Sequence, residues 1–142
     1  MRDKLLVNAA RSGLHYLPPG HRKSVEKSSI KLHFQFLHAD LSACRNTTEA
    51  LRQLGKSLHF PDWYGANFDA LFDCLGDPSW QPAPGKVMLI AGTESLRLAD
   101  PDGFATLVEV FEAAADAHRE TGQPFWLLLD SATPGIAALP EA

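Results

Sequence analysis

Residues 60–80 of this chain read FPDWYGANFDALFDCLGDPSW, and the rest of the chain is best understood as a scaffold that presents them. A proline turn, an aromatic pair and a glycine precede a short run whose apolar side chains have helical spacing. Side chains at i, i+3, i+4 and i+7 share one side of a helix, so this spacing predicts a stripe that faces a core. The predicted stripe consists of Phe68, Leu71, Phe72 and Leu75.

The other side of the predicted helix carries Asp69, Asp73 and Asp77, which are successive i+4 neighbours. We call this row of carboxylates the acidic ridge. With roughly 100° of rotation per residue, it lies about 100 to 180° around the helix from the apolar stripe. Like charges at this spacing oppose helix formation by about 0.2–0.5 kcal/mol a pair. Residues 57–85 contain four aspartates and no lysine or arginine, so the ridge predicts a positively charged partner.

The net charge of −4 conceals a lopsided distribution along the 142 residues. Residues 1–56 carry ten Lys/Arg against four Asp/Glu, whereas residues 57–142 carry three against thirteen. The second part of the chain therefore repels phosphate backbones and attracts basic surfaces. This charge pattern disfavours direct nucleic-acid binding and favours a basic protein as the partner.

Cysteine usage and hydropathy indicate the compartment. Cys44 and Cys74 form no paired motif, so we expect two reduced thiols and neither a disulfide framework nor a cysteine zinc site. The apolar run near the N-terminus is only LLV, which is too short for a signal peptide, and no run approaches a membrane span. We therefore expect a cytoplasmic protein that has no membrane partner.

Apolar runs of strand length alternate with helical patterns. Strands are predicted at about 32–38, 86–91 and 125–129, and the last two are almost entirely apolar. Such buried strands are typical of a parallel sheet covered by helices, which predicts an α/β fold with a small three-stranded parallel sheet. Leu14, Tyr16 and Leu17 could add a short N-terminal edge strand, whereas residues 1–12 show no period and are expected to be a frayed arm.

Two further helices have clear boundary signals. Asn46 is a predicted N-cap, and Glu49 three residues later completes a capping box for a leucine-rich helix. Gly55 lies inside that helix and weakens it by roughly 1 kcal/mol relative to alanine. A longer helix is expected to begin at Asp100 or Asp102 and to end before Gly122.

Catalytic patterns are weak in this sequence. His59, Asp69 and Asp73 could be read as a metal-dependent hydrolase site, but a hard divalent ion needs more oxygen ligands and a general acid needs burial. The six histidines show no HxxxH pattern, and GxSxG, P-loop and GxGxxG motifs are absent from the sequence. We therefore predict no enzyme, no catalytic residues, no metal and no cofactor.

Aromatic residues flank the ridge and can be read in two ways. Trp63 and Tyr64 stand just before the predicted helix, and Trp80 stands just after it. Each alone could pack in a core. Beside charged residues, however, aromatics are enriched at interface hot spots, so together with the ridge they favour a protein interface.

PDWYGANFDALFDCL, residues 61–75, closely resembles the central helix of the barstar family, intracellular inhibitors of barnase-type bacterial ribonucleases. The match runs without a gap through the turn proline, the aromatic pair and the aspartates, and looser similarity extends over residues 32–130. The resemblance implies a barstar-like fold. It also implies an inhibitor whose acidic helix enters a cleft built to hold RNA phosphates.

The resemblance assigns roles residue by residue. Asp73 takes the place of the carboxylate that enters the cleft, Asp69 supports it, Asn67 is a polar contact and Trp63 is an aromatic contact. The chain departs from the family at Trp63, Phe72 and Ala113, where barstar has tyrosine, tryptophan and glutamate, and Trp80 is displaced. The predicted partner-binding residues are Trp63, Tyr64, Gly65, Asn67, Asp69, Phe72, Asp73, Asp77 and Trp80.

These observations predict three regions and leave the partner open. Residues 1–30 are expected to be an N-terminal extension, 31–130 a barstar-like domain and 131–142 a loose tail. The predicted partner is a basic ribonuclease of the barnase type. The alternatives are an interaction module for a basic protein that is not a nuclease and, less favoured, the metal-dependent hydrolase.

Overall fold

A parallel sheet flanked by helices forms the framework of the computed structural model, which describes residues 2–140. The strands are β1 (Gly13–Tyr16), β2 (Gln35–Asp40), β3 (Lys86–Ala91) and β4 (Phe125–Leu129). The α-helices are α1 (Asp3–Leu6), α2 (Arg22–Lys31), α3 (Thr47–Ser57), α4 (Phe68–Gly76), α5 (Thr93–Ala99) and α6 (Pro101–Glu120), with a short 3-10 turn at Ala9–Arg11. In this part of the chain no helix is both long and apolar enough to span a bilayer.

The strand order is β1-β4-β3-β2, and every neighbouring pair is parallel. The α/β class and the three predicted strands are therefore confirmed, but the sheet has four strands rather than three. The additional strand is the N-terminal edge strand, which pairs Gly13 with Trp126. Its short sequence GLHY contains too little periodicity to establish a strand, and its partner lies more than a hundred residues away along the chain.

Both faces of the central strands are buried, and successive side chains alternate between two hydrophobic clusters. One cluster lies between the sheet and α3, α4 and α6, and it includes Met88, Ile90, Leu127 and Leu129. The other contains Val87, Leu89, Trp126 and Leu128, which pack against the N-terminal residues. This double burial explains why β3 and β4 are nearly continuous apolar runs.

The N-terminal residues form the second helical layer, so the expectation of a frayed arm was wrong. Leu5 and Leu6 are buried against the sheet, and the Leu6 carbonyl accepts a hydrogen bond of 2.9 Å from Nε1 of Trp126. Near the other end of the chain, Leu139 is also buried, and its backbone N–H donates to the Tyr16 carbonyl at 2.8 Å. The division into three regions stays a prediction, but these contacts join parts of all three.

One carboxylate holds the starts of two helices together. Oδ1 of Asp100 accepts a hydrogen bond from the backbone N–H of Gly103 at 3.1 Å and so caps α6. Oδ2 accepts from the backbone N–H and the hydroxyl of Thr47, the first residue of α3, at 2.8 and 2.7 Å. A side chain at Gly103 would collide with both partners, which explains a glycine in the first turn of α6.

The predicted capping box of α3 forms in a modified way. Oδ1 of Asn46 accepts from the Glu49 backbone N–H at 2.9 Å, as expected for an N-cap. Glu49 does not return to Asn46, because its carboxylate accepts from the backbone N–H and the guanidinium of Arg45 instead. The Glu49 carboxylate therefore accepts from the backbone N–H of Arg45, one residue earlier than the Asn46 N–H that the capping-box pattern predicts.

Candidate protein-binding site

The acidic helix α4 begins with a side-chain cap. Asn67 has extended backbone angles, and its Oδ1 accepts a hydrogen bond of 2.8 Å from the backbone N–H of Ala70. One of the four free N–H groups at the helix start is thereby satisfied. Asn67 was predicted only as a partner contact; an asparagine just before an apolar periodic run is also the N-cap signal that could have identified this second role.

The face that α4 buries differs from the predicted stripe by a rotation about the helix axis. Leu71, Cys74 and Leu75 are fully buried, whereas Phe72 is 40% exposed. The prediction that Phe72 faces the core was therefore wrong. Leu71 and Leu75 belong to both stripes, and Cys74, one turn on from Leu71, occupies the core position on the opposite flank from Phe72. Burial raises the pKa of the Cys74 thiol to about 11, so this thiol is protonated near neutral pH.

The carboxylates of α4 are exposed to solvent. Asp69 and Asp73 are exposed, and no ion pair within residues 2–140 involves either of them. Asp77 differs, because α4 ends at Gly76 and the chain turns there. Oδ1 of Asp77 accepts from the backbone N–H and the hydroxyl of Ser79 at 2.9 and 2.8 Å, and these hydrogen bonds lower its pKa. The ridge therefore consists of two free carboxylates on the helix and a third that closes the following turn.

Tyr64 fixes the loop that leads into α4. Its hydroxyl donates a hydrogen bond of 2.7 Å to the Leu51 carbonyl, and its ring meets the Phe60 ring edge-on at 4.8 Å. The ring also lies against Gly55, where an added Cβ would come within 2.6 Å of it. Burial raises the pKa of the Tyr64 phenol, which stays protonated as a donor. Tyr64 therefore anchors the loop to α3, a contact that sequence reasoning did not identify.

The two tryptophans near the ridge have opposite environments. Trp63 is 55% exposed, whereas Trp80 is 5% exposed and its Nε1 donates a hydrogen bond of 2.8 Å to the Leu58 carbonyl. The Trp80 ring also meets the Phe60 ring edge-on at 5.0 Å. The prediction that Trp80 itself contacts a partner is corrected by this burial, since its ring packs beneath the loop. Trp63 is the tryptophan available at the surface.

The backbone of this loop adopts conformations that side chains disfavour. His59 and Ala66 have φ angles of 55° and 52°, in the left-handed region. Residues other than glycine occur there infrequently, and each such position costs on the order of 1–3 kcal/mol unless its surroundings enforce it. Close to these two positions, the Tyr64 hydroxyl donates to the Leu51 carbonyl and Nε1 of Trp80 donates to the Leu58 carbonyl. Gly65, which is exposed beside Ala66, leaves the surface open between Trp63 and the start of α4.

The loop and the helix therefore form one continuous surface of exposed acidic and aromatic side chains. We call it the acidic-aromatic surface, and it comprises Trp63, Asp69, Phe72 and Asp73. A cleft of about 210 Å³ adjoins it and is lined by residues that include His59, Trp63 and Asp77. Such a surface suits a partner that brings positive charge together with apolar or aromatic groups.

Comparison with protein families decides where this arrangement belongs. The sequence model described as Barstar (barnase inhibitor) matches residues 34–130, which include the whole of the loop and α4. The chain belongs to the barstar family. Members of this family are inhibitors rather than enzymes, and the match gives the chain a barnase-inhibitor-like, protein-binding role. The barstar match begins after β1, so the N-terminal layer lies outside it.

Other comparisons add information on the fold alone. No curated protein matches this barstar-family chain. Twenty-two chains of solved structures match, among them a chain from the structure of Drosophila ORC bound to DNA. That chain shares 16% sequence identity with a TM-score of 0.55, and the match covers 94% of this chain and 36% of the Drosophila chain. The present chain thus spans about a third of that protein's length, and the likeness concerns the α/β framework.

The residues considered for a hydrolase are not gathered into a metal-type site. Throughout residues 2–140, no group of three or more His, Cys, Asp or Glu side chains is arranged to hold an ion. His59 lines the cleft that also contains Trp63 and Asp77. In this barstar-family chain, Asp69 and Asp73 are exposed on the acidic-aromatic surface.

Proposed function

We propose that this chain inhibits a barnase-type ribonuclease by placing its acidic-aromatic surface in the active-site cleft of the enzyme and excluding RNA. In this proposal Asp73 enters the cleft, Asp69 supports it, and Trp63 and Phe72 cover the rim. The inhibitor acts in the cytoplasm on a ribonuclease made by the same cell. The observation that carries the proposal is the pair of exposed carboxylates on α4, which have no cationic partner among the described residues.

Charge complementarity supports a cleft as the target. A cleft that holds RNA must present cationic side chains and hydrogen-bond donors to phosphate oxygens. Carboxylates accept the same charge-assisted hydrogen bonds, so a row of them can occupy phosphate positions. Asp69 and Asp73 lie one helical turn apart, about 6 Å along the axis, which is close to the separation of successive phosphates in an extended strand. The ion pairs described nearby do not compensate this charge, because Arg45, just before α3, pairs with Glu49 and Arg119 of α6 pairs with Asp116.

Preorganisation supports a tight complex. Binding becomes less favourable when loops and side chains must become ordered in the complex, and this free-energy cost is smaller when they are already ordered in the free protein. The loop before α4 is held by the Tyr64 hydroxyl, by the Phe60 ring and by the cap at Asn67. The surface is therefore presented in a fixed shape before the partner arrives.

Inhibition of RNA cleavage tests the proposal. A barnase-type ribonuclease is assayed with equal concentrations of wild type, Asp73→Ala and Glu120→Ala. Glu120 is exposed at the end of α6, so its variant removes the same charge from a different surface. We expect wild type and Glu120→Ala to inhibit, and the inhibition constant of Asp73→Ala to rise at least about tenfold because charge-assisted hydrogen bonds are lost.

Two outcomes would contradict the proposal. If Asp73→Ala inhibited as strongly as the wild type, the acidic-aromatic surface would not be the inhibitory site. If no variant and no wild type inhibited, the family role would concern a basic partner other than this ribonuclease. Such a partner would then be sought by capture on wild type, with Asp73→Ala as the matched bait.

A further inference from the structure

Lys86, at the start of β3, is a buried cation that the acidic-aromatic surface does not use. The residue is 3% exposed, and among residues 2–140 its ammonium makes neither an ion pair nor a hydrogen bond. The Lys86 ammonium makes a cation–π contact with the Trp80 ring, whose centroid lies 5.7 Å from Nζ. Burial lowers the pKa of the Lys86 side chain, since the charged form is poorly solvated there.

Lys86 lines a cleft of about 460 Å³ between the end of α4 and the end of α6. Most of the lining is small or apolar, and it includes Pro78, Pro82, Ala83 and Ala117. In the described part of the chain, the fully enclosed side-chain nitrogen without a partner is Nε of Arg97 and not Nζ of Lys86. Nζ is therefore reached by solvent, and the cleft is the opening that Lys86 lines.

The helix ends beside the cleft do not neutralise this ammonium. The Leu75 carbonyl is bonded to Nε2 of His118 at 2.8 Å. The His118 carbonyl accepts from the backbone N–H groups of Thr121 and Gln123 at 3.2 and 3.1 Å. These C-terminal carbonyls, which would be the natural local partners of a cation, are occupied by other donors. Lys86 is the one lysine or arginine among the residues that line the cleft.

We propose that this cleft binds a small organic monocarboxylate, with its carboxylate paired to Nζ of Lys86 and its apolar body against Pro78, Pro82 and Ala117. The volume is within the range of small-molecule sites, which are mostly apolar with a few convergent polar groups. One cation balances one carboxylate. A dianion such as phosphate would place a second charge in the cleft without a partner, and burying an unpaired charge is costly.

An NMR titration of the full chain tests this site. Uniformly 15N-labelled protein is titrated with hexanoate, with the neutral isostere hexanamide, and with inorganic phosphate. We expect hexanoate to shift the backbone amides of Ala83, Ala117 and Thr121, and to bind at least about tenfold more tightly than hexanamide, because the charge-assisted pair is missing in the amide. Lys86→Met keeps the aliphatic stem and should abolish this preference, whereas Lys56→Met, an exposed lysine of α3, should leave it unchanged.

The wild-type comparison decides the result even if Lys86→Met fails to fold. Equal affinities for hexanoate and hexanamide would overturn the proposed ion pair. Phosphate binding as strong as hexanoate binding would overturn the requirement for an apolar body. If none of the ligands shifted these amides at a concentration of roughly 10 mM, the cleft would not be a carboxylate site, because a dissociation constant above that concentration is too weak for a small acid to be a useful ligand.

Discussion

At the scale of single residues, Gly55 shows how an unfavourable local choice supports the binding surface. A glycine inside α3 weakens the helix by roughly 1 kcal/mol relative to alanine. The structure explains its presence, because the Tyr64 ring lies where a Cβ would project. The Tyr64 hydroxyl in turn holds the loop that carries Trp63. The glycine in α3 therefore leaves room for the Tyr64 ring, whose hydroxyl holds the loop in place.

Gly55→Ala is expected to destabilise the protein in spite of the higher helix propensity of alanine. The new methyl group would displace the Tyr64 ring, and overpacking of this kind costs about 1–3 kcal/mol, more than the propensity gain. The free energy of unfolding measured in urea should fall, and inhibition of the ribonuclease should weaken as the loop shifts.

Gly76→Ala is the matched control for that substitution. Gly76 is also a helical glycine, but an added Cβ there meets no atom within 4 Å. The free energy of unfolding of Gly76→Ala should stay the same as that of the wild type or rise. A Gly55→Ala protein that gained stability to the same extent as Gly76→Ala would show that the Tyr64 ring accommodates the methyl group.

At the scale of secondary-structure elements, Asp100 joins the starts of α3 and α6. Its hydrogen bonds from Thr47, followed by the one from the Gly103 backbone, lower the pKa of its carboxyl group. A group whose folded-state pKa is lowered adds stability above its unfolded pKa of about 4. That stability is lost as the pH falls through the folded-state pKa.

Asp100→Asn should therefore be less stable than the wild type at pH 7, with a difference that narrows as the pH falls below about 4. Urea unfolding across that interval measures the difference directly, and subtraction removes the titration of the other carboxylates. Asp102→Asn, two residues further along the chain and exposed, should show a much smaller difference at pH 7. A difference for Asp100→Asn that stayed constant down to pH 3 would mean that the carboxylate charge is not what joins the helices.

The N-terminal layer is the element that lies outside the family match, yet it covers one face of the sheet. Leu6→Ala should lower the free energy of unfolding by about 2–5 kcal/mol, since the side chain is fully buried. Val7→Ala, at an exposed position beside it, should change stability by less than about 0.5 kcal/mol. Equal small effects in both variants would indicate that the layer detaches without unfolding the sheet, as expected of a separate extension.

The success of sequence reasoning varied with how local the controlling interactions are. The two apolar strands at 86–91 and 125–129, the Asn46 cap and the start of α6 at Asp100 depend on neighbouring residues, and they were predicted correctly. The first strand was predicted at 32–38, whereas β2 begins only at Gln35. The edge strand and the burial of Trp80 depend on contacts with residues distant in the chain. The rotation of α4 was missed because its alternative stripes share Leu71 and Leu75. Packing against α6 then favours the small Cys74 over Phe72.

At the scale of the whole molecule, the charge asymmetry corresponds to opposite sides of the sheet. The basic residues of α2 lie in the N-terminal layer, whereas α4 and α6, on the other face, carry mainly carboxylates that outnumber the two cations of α3, Arg52 and Lys56. The molecule therefore has an electric dipole that directs the acidic-aromatic surface toward a basic partner. Long-range steering of this kind raises association rates and is screened by salt.

The association rate with a barnase-type ribonuclease should fall by about tenfold or more as NaCl is raised from roughly 0.05 to 0.5 M, since the Debye length shrinks below 10 Å. Stopped-flow fluorescence measures it, and the dissociation rate should change much less. Asp69→Asn should show a shallower salt dependence than the wild type. An association rate that did not respond to salt would exclude electrostatic steering by this surface.

The strand order also determines when the protein can fold during its synthesis. Among the four described strands β1 pairs only with β4, and these two are the earliest and the latest of the four along the chain. Until β4 has left the exit tunnel, β1 has no edge to join, and Leu5 and Leu6 have no Trp126 to cover. Leu5 and Leu6 therefore remain without this cover while the residues between β1 and β4 are being made, and the four described strands can form one sheet only after β4 has been released.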